Sequence, residues 1–466
     1  MSKYNDIKIP DSIDEVTKNA IKRGTNYKKR RKYKKIMIAS ISTIMIGAGI
    51  VGVGIMNPSI ADSIPMIKKI IDYFNNNNES LYKSDKEQFE KLGVDVNLKT
   101  KDKGIEFTLD SSSIDDNYLT IFYTIKSDKK IKEMKDANKD AYFGNPFIYA
   151  YIDGENIRHS GTFGSEGTFS SDNELKGMDK IDVSYIKIDD NMNVKFETDE
   201  IFGINGNWSI STKIDKSKAA KDTYRYKLDK DFVLNKTDNI GGKEKKVKNH
   251  VNIERVIISP LANKIVINEK IEGATADWDP PTMSSSLALF DQDGKSLDII
   301  SEGGSGSSPV TGVATNSIEF LKGTKNTKSL TLVPFGYDES IQPIQLEPKS
   351  IENLPIEFET SKYGKVILED IKITDKEIRY TYYKDGVVPN AGHFSFFDKD
   401  KKEIIINGGN TRTAIDRKTG RYTAIWEFEN YNTDTSKFKD IKSVSAGTDN
   451  SIKLLYDQQM KINLVK

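Results

Sequence analysis

Between Ile36 and Met56 the chain runs 21 consecutive residues without a charge, directly after seven basic residues: Lys28, Lys29, Arg30, Arg31, Lys32, Lys34 and Lys35. As a helix rising about 1.5 Å per residue, this run covers roughly 30 Å, the thickness of a bilayer's hydrocarbon core. Ser40, Ser42 and Thr43 can bond back to helical carbonyls. The four glycines (Gly47, Gly49, Gly52, Gly54) suit a membrane helix better than a soluble one. Asn57-Pro58 then ends it. The pattern predicts one transmembrane helix over 36–56. A cleavable secretory signal has an apolar core of about 7–15 residues behind a short lead. Here the lead is 35 residues, and only the small residues near Ala61 imitate a cleavage site.

Charge sets the orientation. Residues 1–35 carry 12 Lys/Arg and 4 Asp/Glu, a net +8 within a chain of net +1, so the remainder stands at −7. Basic residues abutting a span mark the cytoplasmic side and attract anionic lipid. The basic tract therefore reads as membrane-orienting, with the lipid bilayer as partner and no direct nucleic-acid contact. The N-terminus is expected in the cytoplasm and the C-terminal domains outside the cell membrane.

About 410 residues follow the span, enough for two to four domains. With no cysteine, disulfides, thiolate nucleophiles and cysteine-ligated zinc are excluded together. Only 10 of the 70 basic residues are Arg, which fits the AT-rich genome of a low-GC Gram-positive bacterium.

The leader holds one helix signal, "DSIDEVTKNAIKRG". Ser12 and Glu15 form a capping box, Gly24 stops it, and Ile13, Val16, Ala20 and Ile21 share one face. A lone helix of about 12 residues is marginal in water, so it is expected to order against headgroups or a protein groove. Beyond the span, "SIPMIKKIIDYF" is amphipathic through Met66, Ile67, Ile70, Ile71 and Phe74, and would lie on the bilayer or dock on the first domain. "NNNNES" reads as a flexible break, and a short helix around Lys86–Leu92 ends at Gly93.

From about residue 104 the period becomes two, and a three-element repeat appears. The first element is "GIEFTLDSSSIDDNYLTIFYTI" (104–125), "VNIERVIISPLANKIVINEKI" (251–271) and "GKVILEDIKITDKEIRYTYY" (364–383). Each is a strand, a polar break and a second alternating strand, with Leu119, Ile121, Tyr123 and Ile125, or Ile378, Tyr380 and Tyr382, on one face. Hairpins follow at 146–157, 286–297 and 393–404, and a third element at 174–188, 319–335 and 436–448.

The fold expected is mainly β: a short cytoplasmic helix, one transmembrane helix, then tandem immunoglobulin-like β-sandwich domains. The segments are a leader (1–35), the span (36–56), a juxtamembrane helical part (57–100), sandwich unit one (101–215), a linker or exposed hairpin (216–250), unit two (251–350) and unit three (351–466). "EGGSGSSPVTG" (302–312) reads as a mobile loop, and Trp208, Trp278 and Trp426 as core or rim aromatics.

Catalytic chemistry finds little support. His159, His250 and His393 lack metal-ligand spacing, and no nucleophile elbow, phosphate loop or dinucleotide fingerprint is present. "DQDGKSLDIISE" resembles a calcium loop only until Lys295 and Ser296, which stand where an oxygen ligand and a glycine are needed. Asp115-Asp116 and Asp189-Asp190 read as solvated turns. No catalytic residue, metal site or cofactor is expected, and the chain is not expected to be an enzyme.

The layout "IPDSIDEVTKNAIKRG", span, "NPSIADSIPMIKKIIDYF", then "EKLGVDVNLKTKDKGIEFTLDSSSIDDNYLTIFYTIKSD" resembles the bacterial membrane-protein family known as domain of unknown function 4179, over roughly residues 10–155. Unit two, through "IERVIISP" (253–260) and "LALFDQDGKSL", is similar to the companion immunoglobulin-like family 5643. Members of the first family are commonly encoded beside alternative sigma factors, so the resemblance implies an anti-sigma-like signalling role. The zinc-type anti-sigma domain is missing here, which leaves Ile13, Val16, Ala20 and Ile21 as the contact for a sigma factor. The alternative is a membrane-anchored surface module that binds an envelope ligand or protein through its sandwich loops, without a transcriptional role.

Overall fold

The computed structural model describes residues 68–77, 80–134, 146–157, 162–240, 243–272, 286–308, 313–338, 340–389, 391–428, 431 and 433–464. The leader face, the basic block and the 36–56 run lie outside these residues. Among the described residues no helix is long and apolar enough to cross a membrane.

Two helices come first, α1 (Lys68–Asn76) and α2 (Lys86–Leu92). Unit one then supplies β1 (Val94–Asp102), β2 (Ile105–Ile114), β3 (Tyr118–Ser127), β4 (Tyr149–Ile152), β5 (Glu155–Asn156), β6 (Thr162–Ser171), β7 (Glu174–Asp182), β8 (Asn191–Ile201) and β9 (Ile204–Asp215). They form two antiparallel sheets, ordered β1-β2-β3-β7-β6 and β5-β4-β8-β9. Leu119, Ile121, Tyr123 and Ile125 of β3 meet Ala150, Val194, Phe196 and Trp208 of the other sheet in one core. Tyr123 lies over its cross-strand partner Gly177, where a Cβ would come within 2.3 Å of the ring.

Unit two repeats the plan. After the short α3 (Ser217–Ala220) come β10 (Tyr224–Ile240), β11 (Lys243–Ile258), β12 (Asn263–Ile271), β13 (Leu287–Phe290), β14 (Ser296–Leu297), β15 (Ile299–Ser308), β16 (Val313–Phe320) and β17 (Ser329–Tyr337). The first sheet is β10-β11-β12-β16-β15 and the second begins β14-β13-β17. Within the 216–250 stretch, β10 and the start of β11 pair with each other and extend the unit-two sheet. Of the Gly/Ser-rich segment expected as a loop, residues 302–308 instead lie in edge strand β15, with Gly303, Gly304 and Ser305 paired to Ser317, Asn316 and Thr315. An edge lane bonds on one side only, so it tolerates residues that a central strand does not.

Unit three contains β18 (Lys349–Ser350), β19 (Ile356–Ser361), β20 (Gly364–Ile373), β21 (Glu377–Gly386), β22 (Phe394–Phe397), β23 (Glu403–Ile404), β24 (Asn410–Asp416), β25 (Arg421–Glu427) and β26 (Ser443–Ala446). Its sheets are β19-β20-β21-β25-β24 and β18-β26-β22-β23. The chain then returns to unit two: β27 (Ile452–Leu454) and β28 (Met460–Asn463) both pair with β17. Met460, Ile462 and Leu464 lie in the unit-two core.

The first two repeated elements are hairpins β2–β3, β11–β12 and β20–β21, then β4–β5, β13–β14 and β22–β23. The third element does not hold its alignment. By position in the sheets β26 corresponds to β17 and β8, whereas the stretch from 174 in unit one is β7. The units differ most in the lane beyond those strands, filled by β9 in unit one, by β27 and β28 in unit two, and by β18 in unit three.

Candidate functional site

Strand β3 is buried along eight successive residues, Tyr118 to Ile125, so both of its faces are covered. One face makes the unit-one core. The opposite face, with Tyr118 and Phe122, receives Ile70, Tyr73 and Phe74 of α1 and Phe89 and Leu92 of α2. Ile70, Tyr73 and Phe74 are spaced to share one helical face. Phe74 stacks on Phe89 at 5.9 Å, and Phe122 meets both edge-on. Leu261 and Ala262 of unit two close the cluster. The segment after the apolar run therefore docks on the first domain. Its polar ends are held too: Asn77 and Ser80, expected in a flexible break, are buried, and Ser80 donates to Glu166 at 2.5 Å.

Beside this cluster, charged groups from the helical segment and all three units converge. Arg417, in the turn after β24, donates from Nη1 to Asp85 Oδ2 at 2.7 Å and from Nε to Glu319 Oε1 at 2.7 Å. Tyr118 donates its hydroxyl to Glu319 Oε2 at 2.5 Å. Lys180 Nζ lies 3.9 Å from the centre of the Tyr118 ring, and Lys264 Nζ lies 4.0 Å from it. Lys264 also pairs with Asp182, which accepts from Ser317 at 3.0 Å. The segment between α1 and α2 (Asp85), unit one (Tyr118, Lys180, Asp182), unit two (Lys264, Ser317, Glu319) and unit three (Arg417) thus share one node. Ser84 adds a bond to the Ile415 carbonyl at 3.0 Å, and Lys418 pairs with Glu87.

Burial opposes ionisation of Glu319, but Arg417, Lys180 and Lys264 outweigh it and hold the carboxyl well below its ordinary range. Burial pushes Lys180 down to about 8, and Arg417 adds to that. Tyr118 is raised by burial and then by the Glu319 charge. Such an arrangement locks elements together; among the described residues no group of three His/Cys/Asp/Glu could hold a metal ion.

The acidic pair expected in a solvated turn is part of this seam. Asp115 is fully buried and accepts from the Asn117, Tyr118 and Leu261 amides at 2.8, 2.9 and 2.8 Å, and from the Ser259 hydroxyl at 2.7 Å. Asp116 is bonded to Lys216 at 2.8 Å and to Arg225. Asn117 and Tyr118 are local, but Lys216, Arg225, Ser259 and Leu261 arrive from sequence positions a hundred or more residues away, which local pattern does not reveal. Asp189 and Asp190 are exposed. Asp291 makes the β13–β14 turn by accepting from the Asp293 and Lys295 amides at 2.9 Å, and Asp398 does the same for Asp400 and Lys402 in unit three.

His250 Nε2 lies 2.6 Å from Glu272 at the surface, His393 is exposed, and His159 lies outside the described residues. Trp208 is core, Trp426 is partly buried, and Trp278 lies outside the described residues. The leader residues Ile13, Val16, Ala20 and Ile21 are likewise undescribed. Sequence reasoning passed over Asp85, Lys180, Glu319 and Arg417. The one signal for them was "YLTIFYTI", apolar on both strand faces, which announces a second layer over β3.

This architecture defines a tandem protein of paired antiparallel sheets with a helical segment docked at the unit junction. Residues 28–127 match the family described as Domain of unknown function (DUF4179), and residues 229–361 match Family of unknown function (DUF5643), so the chain carries two domains of unknown function. The first match spans the basic block, the apolar run, both helices and β1–β3. Among curated proteins none matches. Among solved structures, the crystal structure of a conserved domain protein from Bacillus anthracis is similar at 19% identity, covering 59% of this chain and 88% of that one, with a TM-score of 0.38.

Proposed function

We propose that this chain is a single-pass membrane signalling protein. The 36–56 run anchors it in the cell membrane, the immunoglobulin-like sandwich units face outward as sensor or binding domains, and the leader helix holds a sigma factor through Ile13, Val16, Ala20 and Ile21. The supporting observation is that the segment following the anchor is packed into the node that joins all three units, through the Phe74–Phe89–Phe122 cluster and the Asp85–Arg417 pair. A rearrangement among the units would be felt at α1, which begins 12 residues after the 36–56 run in the sequence. Neither a cofactor nor a catalytic residue enters this reading.

The test is a cross-linked pull-down from native membranes, comparing the full chain with a version lacking residues 5–24. A sigma factor recovered only with the intact leader supports the proposal. Identical partners in both samples would sink it.

A second reading, a surface-binding module, is favoured by the β10–β11 ribbon. Residues 243–248 of β11 pair with β10 alone, because pairing with β12 starts only at Asn249. This overhang carries Lys243, Lys245, Lys246 and Lys248, a composition suited to an anionic envelope polymer.

A further inference from the structure

A cavity of about 240 Å³ opens where the juxtamembrane segment and the three units meet, lined by Leu81, Tyr82, Lys180, Ile300, Thr413 and Ile415 among others. Lys180 is 1% exposed, and its ammonium faces the Tyr118 and Tyr82 rings at 3.9 and 5.4 Å. Among the described residues it donates no hydrogen bond, and no carboxylate lies within ion-pair distance of it; Glu319 and Asp85 act on it only through space. Facing aromatic rings, the ammonium lacks the oxygen acceptors that its three N–H groups find in water. The cavity wall it borders is otherwise apolar or aromatic through Leu81, Ile300, Ile415, Tyr82 and Tyr118, and is completed by Arg417 and Glu319, whose charges offset each other in an ion pair. Tyr82 can sit there because residue 164 is glycine: a Cβ at that position would come within 1.6 Å of the tyrosine oxygen.

We infer that this cavity is a binding site for a small organic acid, with one carboxylate accepting from Lys180 and a short apolar body against Leu81, Ile300 and Ile415. The volume lies below the roughly 300–1,000 Å³ of pockets for drug-sized ligands, which limits the body to a short chain or a single ring. Because the walls come from four parts of the chain, an occupant bridges the juxtamembrane segment to all three units. The inference deepens the sensor reading by naming its ligand class. Its test reads binding alone, so it stands or falls separately from the sigma-factor contact.

Butyrate, benzoate and phenylacetate are titrated by calorimetry into the full chain in detergent, with butylamine, benzylamine and inorganic phosphate as controls. Saturable one-to-one binding of at least one acid, and of neither amine, is expected. Lys180→Met weakens it by roughly 10–100-fold, as loss of charge-assisted hydrogen bonds does. Lys180→Met alters a buried charge and can perturb folding, so Thr413→Trp tests the site independently: position 413 is exposed at the rim, and the indole closes the cavity while Lys180 stays. No acid binding at millimolar concentration overturns the inference. So does binding that survives Thr413→Trp unchanged, or phosphate competing as well as the best acid, which would mark a bare anion site.

Discussion

Unit one meets unit two mainly across charged and hydrogen-bonded groups, with Leu261 and Ala262 as the apolar contribution, whereas unit two meets unit three across an apolar patch of Ala288, Val333, Phe335, Val387, Ile452 and Leu454 beside the Glu319–Arg417 and Asp298–Lys384 pairs. The apolar seam is also a sheet continuation, since β27 follows unit three and pairs with β17 of unit two. Burying such side chains is non-directional and tolerant of small shifts. The polar seam behaves differently. Its groups are satisfied only in one arrangement, and each becomes costly once displaced while still buried. One seam holds the units together, and the other specifies how they sit against α1 and α2.

The comparison breaks first at Glu319. Glu319→Ala leaves Arg417 with Asp85 alone and Tyr118 without its acceptor, and removing one partner of a buried pair costs about 3–5 kcal/mol. Proteolysis should then cut near α1 and α2 before it cuts the sandwich cores; uniform susceptibility would refute the polar seam's role. The pH sign is fixed as well. The folded carboxyl titrates below its ordinary range, so its contribution is complete above pH ~4.5 and fades as pH falls below that. Ile452→Ala, in the apolar seam, should cost roughly 2–5 kcal/mol with no such acid dependence. Matching pH profiles for the two variants would erase the distinction.

Lys180 sharpens it further. Its folded value of about 8 lies below the ordinary 10.5, so between these the unfolded chain binds more protons and stability rises with pH. The gain is roughly 3 kcal/mol across that window. Arg417, Glu319, Asp85, Lys264, Tyr82 and Tyr118 are the charged and titratable groups facing it. Because other lysines titrate nearby, the quantity to measure is the wild-type curve minus that of Lys180→Met. A difference that stays flat from pH 8 to 10.5 would show that Lys180 titrates normally.

What the sequence made legible follows from range. Period-two alternation placed Leu119, Ile121, Tyr123, Ile378, Tyr380 and Tyr382 in cores, because inside and outside alternate within one strand. The hairpins were legible because a turn closes over two to five residues. The node was not. Glu319 and Arg417 stand 98 residues apart, and Asp85 and Arg417 are 332 apart. Neither has a local pattern that separates it from a solvated charge. The return of β28 to unit two was hidden for the same reason, since "MKIN" alternates equally well in either sandwich.

Two aspartates carry the contrast down to single side chains. Asp115 and Asp291 each accept two backbone amides in a turn between strands, yet Asp115 is buried beneath the 259–262 turn while Asp291 is only half-buried, in a turn whose next four residues are exposed. Asp115→Asn keeps the shape but puts an amide NH₂ where one oxygen now accepts; it should cost about 1–3 kcal/mol and loosen unit one from unit two. Asp291→Ala removes a turn whose amides water can satisfy, and should cost about 0.5–1 kcal/mol with the seams unaffected. Chemical denaturation of both variants, read beside hydrogen exchange at Leu261, checks the pair. Faster exchange at Leu261 in Asp115→Asn but not in Asp291→Ala is expected, because only the first carboxylate accepts that amide. Equal effects would mean that the Asp115 bonds across the seam add nothing to those within its own turn.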